Sequence, residues 1–321
     1  MAGRCAQVYS VGGQLASHID APLAALRRTD TRETTSSPAD EPYLQVQLWD
    51  VGAANVAPPR VTPPASGKYW RSDDGLWVAH FQPHGMTLLD VAGGRVVGWV
   101  AGADRILPWE RAKPLLAELT VWLMSQGVVG THGGFVGRDG EGVLLVGKGG
   151  SGKTTTALCC LDAGFEFLGD DHVELEERAA GEFICHGLYA STALWPEHAK
   201  RFPRLSTSQM QDVPQTDRPK PCFLLPPQVA AALARPSRVR AVVVPQVDGQ
   251  EVTTFEPISR LPALLAMAPH SLIARFPIAA RDGLDFMGRV VERVPCFRLN
   301  LGSDLAQIPA VMSQLLDRVR K

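Results

Sequence analysis

The sequence predicts an α/β protein in which a core built on a strand, a glycine-rich loop and a helix follows a β-rich N-terminal region. Three observations carry this expectation. Residues 142–171 run GVLLVGKGGSGKTTTALCCLDAGFEFLGDD: an apolar strand, a glycine-rich loop, a helix, a second short strand and two carboxylates. Ahead of them, several short runs alternate or stay apolar between Gly, Pro and Asp, the pattern of strands. Behind them come one apolar strand and three segments with helical spacing.

In chain order, residues 1–40 close on the polar run TDTRETTSSPADEP and are expected to be a mobile N-terminal segment. Residues 41–110 form the β-rich region, where YLQVQLWDV, GLWVAHFQ, MTLLDV and RVVGWVA predict antiparallel strands. Residues 111–321 hold the core and its C-terminal helices. At the junction, PWERAKPLLAELTVWLMSQG sets Leu115, Leu116, Leu119, Trp122 and Leu123 on one helical face, and Gly127 ends the helix. Residues 128–136 and 143–146 predict a hairpin turning at GRDGEG. The loop leads into a helix reaching about Ala163, and short strands at 165–168 and 172–176 flank the acidic pair. The stretch ICHGLYASTALWPEHAKRFP is irregular with one short helix, and prolines punctuate 213–227. RVRAVVVPQV predicts a buried strand, and helices are expected at 260–267, 281–291 and 305–320.

Composition narrows the class. The 321 residues are 45% hydrophobic and 20% charged with a formal net charge of −1, so no global field favours nucleic acid or an anionic membrane. Arg275, Arg281, Arg289, Arg293 and Arg298 gather near the end, a spacing that fits a solvated helix face. The longest uncharged apolar stretch, between Arg260 and Arg275, is broken by prolines and a histidine, so no membrane span is expected. The chain opens without a basic start followed by an apolar run, which argues against a secretory signal. Six cysteines without a CxxC spacing suit a reduced, cytoplasmic protein with no zinc site.

Residues 147–154, GKGGSGKT, fit GxxxxGK[ST]. Glycines let backbone N–H groups curl around phosphate oxygens, and the helix N-terminus adds its partial positive charge. ATP is the expected nucleotide. Its contacts are expected from Gly147, Gly149, Gly150, Ser151, Gly152, Lys153, Thr154 and Thr155, with Lys153 as the point charge on the terminal phosphates. The Thr154 hydroxyl suits Mg²⁺. Lys148 reads as a further phosphate contact or as a solvated side chain.

Asp170 and Asp171 stand sixteen and seventeen residues beyond Thr154. Beside a γ-phosphate, one carboxylate can hold metal while the other takes the proton of an attacking hydroxyl. The alternative is a turn, for which Gly-Asp-Asp is good chemistry. With THGGFV, GKGGSGKTTTAL and FLGDDHVEL in hand, residues 128–176 resemble the HPr kinase/phosphorylase-like family. LPWERAKPLLAEL and VPCFRLNLG…IPAVMSQLL resemble the wider set of HPr-kinase-like serine kinases. The resemblance implies a mixed-sheet P-loop core of the HPr kinase / phosphoenolpyruvate carboxykinase type. It gives His132 as the family histidine, Asp170 as the base that activates the acceptor and Asp171 as the metal-associated carboxylate. It also implies a homo-oligomer whose subunits contribute to each other's sites. The N-terminal region reads differently from the regulatory domain of those enzymes.

The leading expectation is therefore an ATP- and Mg²⁺-dependent kinase acting on a hydroxyl, with Asp170, His132 and Lys153 as catalytic residues. The acceptor is a serine of a protein or peptide, or a small-molecule alcohol. A nucleotide-gated regulatory module with slow hydrolysis is the alternative. A carboxykinase is a third, against which stands the lack of a second basic cluster. His172 is expected to be structural. His186 and Lys220 fall where an acceptor could dock, as surface groups, and Arg275 and Arg298 are candidates for γ-phosphate contact.

Overall fold

The structure is a computed structural model describing residues 1–26, 43–63, 68–203, 205, 220–233, 235–268 and 280–320. The polar run ending the first forty residues, the prolines of 213–219 and Arg275 lie outside the described residues. The chain forms two compact units, one from Gly3–Gln126 and Ala193–Leu224, the other from Gly127–Thr192 and Leu225–Lys321.

The first unit is built on a six-stranded sheet in the order β1-β2-β6-β5-β4-β3. Its elements are β1 (Cys5–Val11), α1 (Gly13–Asp20), β2 (Tyr43–Asp50), α2 (Val51–Ala54), β3 (Tyr69–Arg71), β4 (Trp77–Gln82), β5 (Gly85–Asp90) and β6 (Arg95–Val100). Strand β2 alternates cleanly: Leu44, Val46 and Leu48 are buried while Gln47 is exposed. The expected antiparallel run holds for β3 to β6, but β2 pairs in parallel with both β1 and β6. Strand β1 lies within the residues read as an N-terminal segment. Most of its side chains are exposed, so it carries no apolar alternation and is held by its backbone ladder to β2.

The predicted junction helix is two helices, α3 (Pro108–Ala112) and α4 (Leu116–Ser125). Pro114 removes a backbone donor, and Leu115 adopts a left-handed conformation at φ 58° that breaks the spiral. Trp122 and Leu123 are buried as expected, and Gly127 closes the segment at φ 77°.

The second unit begins with β7 (Val128–Thr131), β8 (Gly133–Arg138), β9 (Glu141–Val146), α5 (Lys153–Asp162), β10 (Glu166–Gly169), β11 (Val173–Glu177), β12 (Phe183–His186) and β13 (Ser191–Ala193). Residues Ala193–Leu224 return to the first unit with α6 (Pro196–Ala199) and β14 (Cys222–Leu224). Then come α7 (Pro227–Ala232), β15 (Ser237–Val247), β16 (Thr254–Pro257), α8 (Arg260–Met267), α9 (Ala280–Arg293), β17 (Cys296–Leu301) and α10 (Ile308–Arg320).

Among the described residues, nine strands form one sheet in the order β10-β8-β9-β15-β12-β11-β7, with β17 on β15 and β16 on β17. The sheet is mixed: β15 runs parallel to β9 and β17, and the other pairs are antiparallel. Pro245 sits inside β15, where β9 has already ended opposite Val243. The strand therefore accepts a proline at a point where one neighbour has left.

The predicted hairpin is β8 and β9, turning through Asp139 (φ 54°) and Gly140 (φ 74°). Both have positive φ, the conformation a two-residue hairpin favours. Arg320 of α10 donates to the Arg138 carbonyl and to Asp139, tying the chain's last helix to this tip. The strand read as 128–136 is divided at His132 into β7 and β8, which pair with different neighbours.

That division shapes the unit. Strand β7 is one edge of the sheet and β8 lies beside the other edge, yet His132 alone joins them. Two Cα steps span at most about 7 Å, so the sheet must curl until its edges meet. Residues 170–172 make a second such crossing, from β10 to β11. Gly134 lies under the seam: a Cβ there would stand 3.0 Å from both the Asp170 Cα and the Gly169 carbonyl. Gly134→Ala is expected to cost about 1–3 kcal/mol, the usual range for overpacking. Chemical denaturation would read this as a lower midpoint with an unchanged slope.

Candidate functional site

The glycine-rich loop leaves the C-terminal end of β9 and enters α5. Gly152 precedes the helix at φ 103°, and a Cβ there would come 2.2 Å from Leu301 Cδ1 of β17. That φ calls for glycine, while the Leu301 methyl is the end of a side chain that can turn aside. Gly149 and Gly150 are exposed, and a Cβ on either would meet no atom within 4 Å. Lys153 is buried, its Nζ donating to the carbonyls of Gly147 at 2.6 Å and Lys148 at 3.1 Å. Ser151 is buried and its Oγ has no hydrogen-bond partner among the described residues. Thr154 and Thr155 are half-buried on the first turn of α5, and Lys148 is exposed. No acidic side chain occupies that first turn. An open cradle, an orphaned buried hydroxyl and a lysine folded onto loop carbonyls together suit a phosphate chain.

Strand register brings the acidic pair to the same end of the sheet. Gly169 pairs with Phe135 and Phe135 with Leu144, so these residues form one row across β10, β8 and β9. The row above holds Gly134 and Leu145, and the next pairs Gly133 with Val146, the last residue before the loop. Strands β10 and β9 each run antiparallel to β8, so both end on this side. Two strand spacings, about 10 Å, separate their ends. His132, immediately before Gly133, lies between them.

The two carboxylates differ in setting. Asp171 is half-exposed, and its Oδ1 lies 3.2 Å from His132 Nδ1. Asp170 is 2% exposed. Its Oδ2 accepts a 2.8 Å hydrogen bond from the Thr192 hydroxyl, while Oδ1 takes no hydrogen bond from the described residues. Thr192 lies twenty-two residues from Asp170 and on no motif, so no signal in the sequence could have singled it out.

Behind the pair lies a row of buried acid–histidine contacts. His172 Nε2 is 2.7 Å from Glu174 Oε1, which is the structural place expected for that histidine. Burial pushes the Glu174 carboxyl above its usual range, against the opposing pull of His172. His186 is not a surface group. It pairs with Glu174 in the β11–β12 ladder and is buried, its Nε2 3.2 Å from Glu176 Oε2. Strand pairing turned inward a residue that looked like part of a loop. Burial drives its imidazole down to about 4, although Glu176 pulls the other way.

The arginines do not act as one group. Arg289 and Arg293 of α9 both pair with Glu177, and Arg298 of β17 pairs with Glu256 at 3.1 Å. Lys220 is exposed. Burial raises the thiols of Cys160, Cys185 and Cys296, in keeping with apolar packing.

The chain matches no protein-family model. Over 81 residues it is 33% identical to a Fusobacterium nucleatum protein assigned by name to the HPr kinase/phosphorylases. That stretch is 25% of this chain, and the chain spans only 13% of that curated relative's length. The HPr(Ser) kinase/phosphatase of Coxiella burnetii aligns with 60% of this chain and 95% of its own length, at 13% identity and a TM-score of 0.29, too loose a superposition to establish a fold. The family resemblance carried by the three motifs is borne out by the sequence match. No helix among the described residues is long and apolar enough to cross a membrane.

The depressed imidazole has a stability consequence. The folded state keeps His186 neutral between about 4 and the unfolded value of 6.5, while the unfolded chain takes up a proton. Its contribution is intact above pH 6.5 and shrinks as pH falls toward 4, by roughly 3 kcal/mol in full. Urea denaturation at pH 7 and pH 5 should show this loss in the wild type and a smaller one in His186→Gln.

Proposed function

We propose that this chain is an ATP-dependent, HPr-kinase-like phosphotransferase that moves the γ-phosphoryl group of ATP to a hydroxyl. The observation that carries the reading is convergence. The glycine-rich loop, the His132–Asp171 contact and the buried Asp170 gather at one end of one sheet. The acceptor class is a serine of a protein or peptide, or a small alcohol. The relative's name, HPr kinase/phosphorylase, speaks for a protein.

In this reading the loop is a P-loop in a core of the HPr kinase / phosphoenolpyruvate carboxykinase type. Backbone N–H groups of residues 149–153 and the Lys153 ammonium grip the terminal phosphates, with Gly147, Ser151, Thr154 and Thr155 completing the cradle. Lys153 exchanges its loop carbonyls for phosphate oxygens. Mg²⁺ suits the Thr154 hydroxyl and the accessible Asp171 carboxylate, both hard oxygen donors, and when bound it neutralises charge between the phosphates. His132 orients Asp171 through their contact. Asp170 Oδ1 takes the acceptor proton as the acceptor oxygen bonds to the γ-phosphorus and the bond to the ADP oxygen breaks. Placement and charge neutralisation supply most of the rate. The enzyme works in the reducing cytoplasm, where its cysteines stay unbridged, and as a homo-oligomer that completes each site.

A second reading, a nucleotide-gated module with slow hydrolysis, is favoured by the burial of Asp170 at 2% exposure. Asp170→Asn separates the two. For a kinase, transfer from labelled ATP to a serine-peptide library should fall by about 10²–10⁴. Nucleotide affinity, read by fluorescence titration, should stay within about twofold, because the cradle is untouched. Lys153→Ala should instead weaken ATP binding itself. Unchanged transfer in Asp170→Asn would leave the module reading in its place.

A further inference from the structure

Asp170 sits in an unusual state for a buried carboxylate. It is 2% exposed, no cation pairs with it in any described contact, and a single side chain bonds it. That side chain is Thr192, itself 2% exposed. A carboxylate has two oxygens with about four lone-pair sites, and only one oxygen is taken. The Thr192 hydroxyl donates to Oδ2, and Oδ1 takes no hydrogen bond from the described residues.

Thr192 is well built to hold such a group. Its β-branched side chain is stiff about χ1. Two contacts anchor the segment that leads into it. The Leu225 N–H donates to the Ala190 carbonyl at 2.9 Å, two residues before Thr192. Earlier in the same segment, Gly187 passes so close to β10 that a Cβ would stand 2.6 Å from the Leu168 carbonyl. The chain leaving β12 is thereby pressed onto β10, and Thr192 arrives at the residue that follows that strand.

We infer that Thr192 is a positioning residue for phosphoryl transfer: it holds Asp170 by Oδ2 so that Oδ1 is the oxygen offered to the incoming hydroxyl. This rests on the kinase reading, with Asp170 as proton acceptor. In the step, the acceptor oxygen bonds to the γ-phosphorus, the bridging bond to ADP breaks, and the acceptor proton passes to Oδ1. Thr192 keeps its own proton throughout. A carboxylate freed from Thr192 can rotate, and fewer of its orientations present an oxygen to the acceptor.

Water serves as the acceptor in the test, and ATP turnover by the full chain is the readout. Thr192→Val keeps the shape and removes the hydroxyl. It should lower kcat about tenfold, the effect of one hydrogen bond made to a charged group, and leave KM for ATP unchanged. Thr192→Ser should restore kcat to within about twofold. In an Asp170→Asn background, Thr192→Val should change nothing more, since both substitutions break one unit. Should Thr192→Val fail to fold, Thr192→Ala against Thr192→Ser isolates the same hydroxyl. Unchanged turnover in the valine variant, no recovery in the serine variant, or a further tenfold loss in the Asp170→Asn background overturns the inference and leaves the kinase reading standing. A wild-type protein that binds ATP but transfers to neither water nor the serine-peptide library overturns both the inference and the kinase reading. One that binds no ATP overturns both.

Discussion

A single residue joins one edge of the nine-stranded sheet to a strand beside the other edge, and the rest of the second unit follows from that short bridge. With only His132 between β7 and β8, the sheet has no choice but to curl. The curl brings residues 170–172 against the same place, since they too cross from one edge to the other. His132 and residues 170–172 are thus held by backbone connectivity rather than by loops free to wander. The spacing between Asp171 and His132 is a property of the sheet's closure, and closure in turn demands Gly134 where the strands press together.

Closing a sheet also encloses polar groups, and burying an ionisable group without partners is costly. The chain meets this with neighbouring acid–histidine contacts. His172 lies against Glu174, and His186 against Glu176. Among the described residues one oxygen of Glu174 has no hydrogen-bond partner, in keeping with a carboxyl that burial pushes above its usual range. Asp170 alone in this row answers to a hydroxyl and not to an imidazole. That difference leaves the Thr192 hydroxyl as its hydrogen-bond partner among the described residues.

Much of this was legible in the sequence because local rules and tertiary structure agreed. The apolar strand, the glycines of the loop and the helix beyond carry their own signals, as do the strand Ser237–Val247 and the helices Arg260–Met267 and Ile308–Arg320. Where the text misled, a tertiary constraint had overridden a local pattern. VVGTHGGFV reads as one strand because nothing in its composition marks the change of partner at His132. Cys5–Val11 escaped notice because a strand exposed on both faces carries no alternation. The helix around Leu115 looked continuous because leucine gives no warning of a left-handed turn. His186 looked accessible because its segment ICHG resembles a loop, and only pairing with β11 turns it inward. Thr192 was invisible for a simpler reason: a hydrogen bond between distant segments leaves no trace in either one.

The hairpin formed by β8 and β9 carries His132 at one end and the glycine-rich loop at the other, both at the same mouth. Its tip is fastened to the last helix through Arg320. A hairpin clamped at the tip and bonded along both arms has little compliance of its own. Compliance at that mouth is left to the few residues beyond the last rung, a jaw set on a stiff handle.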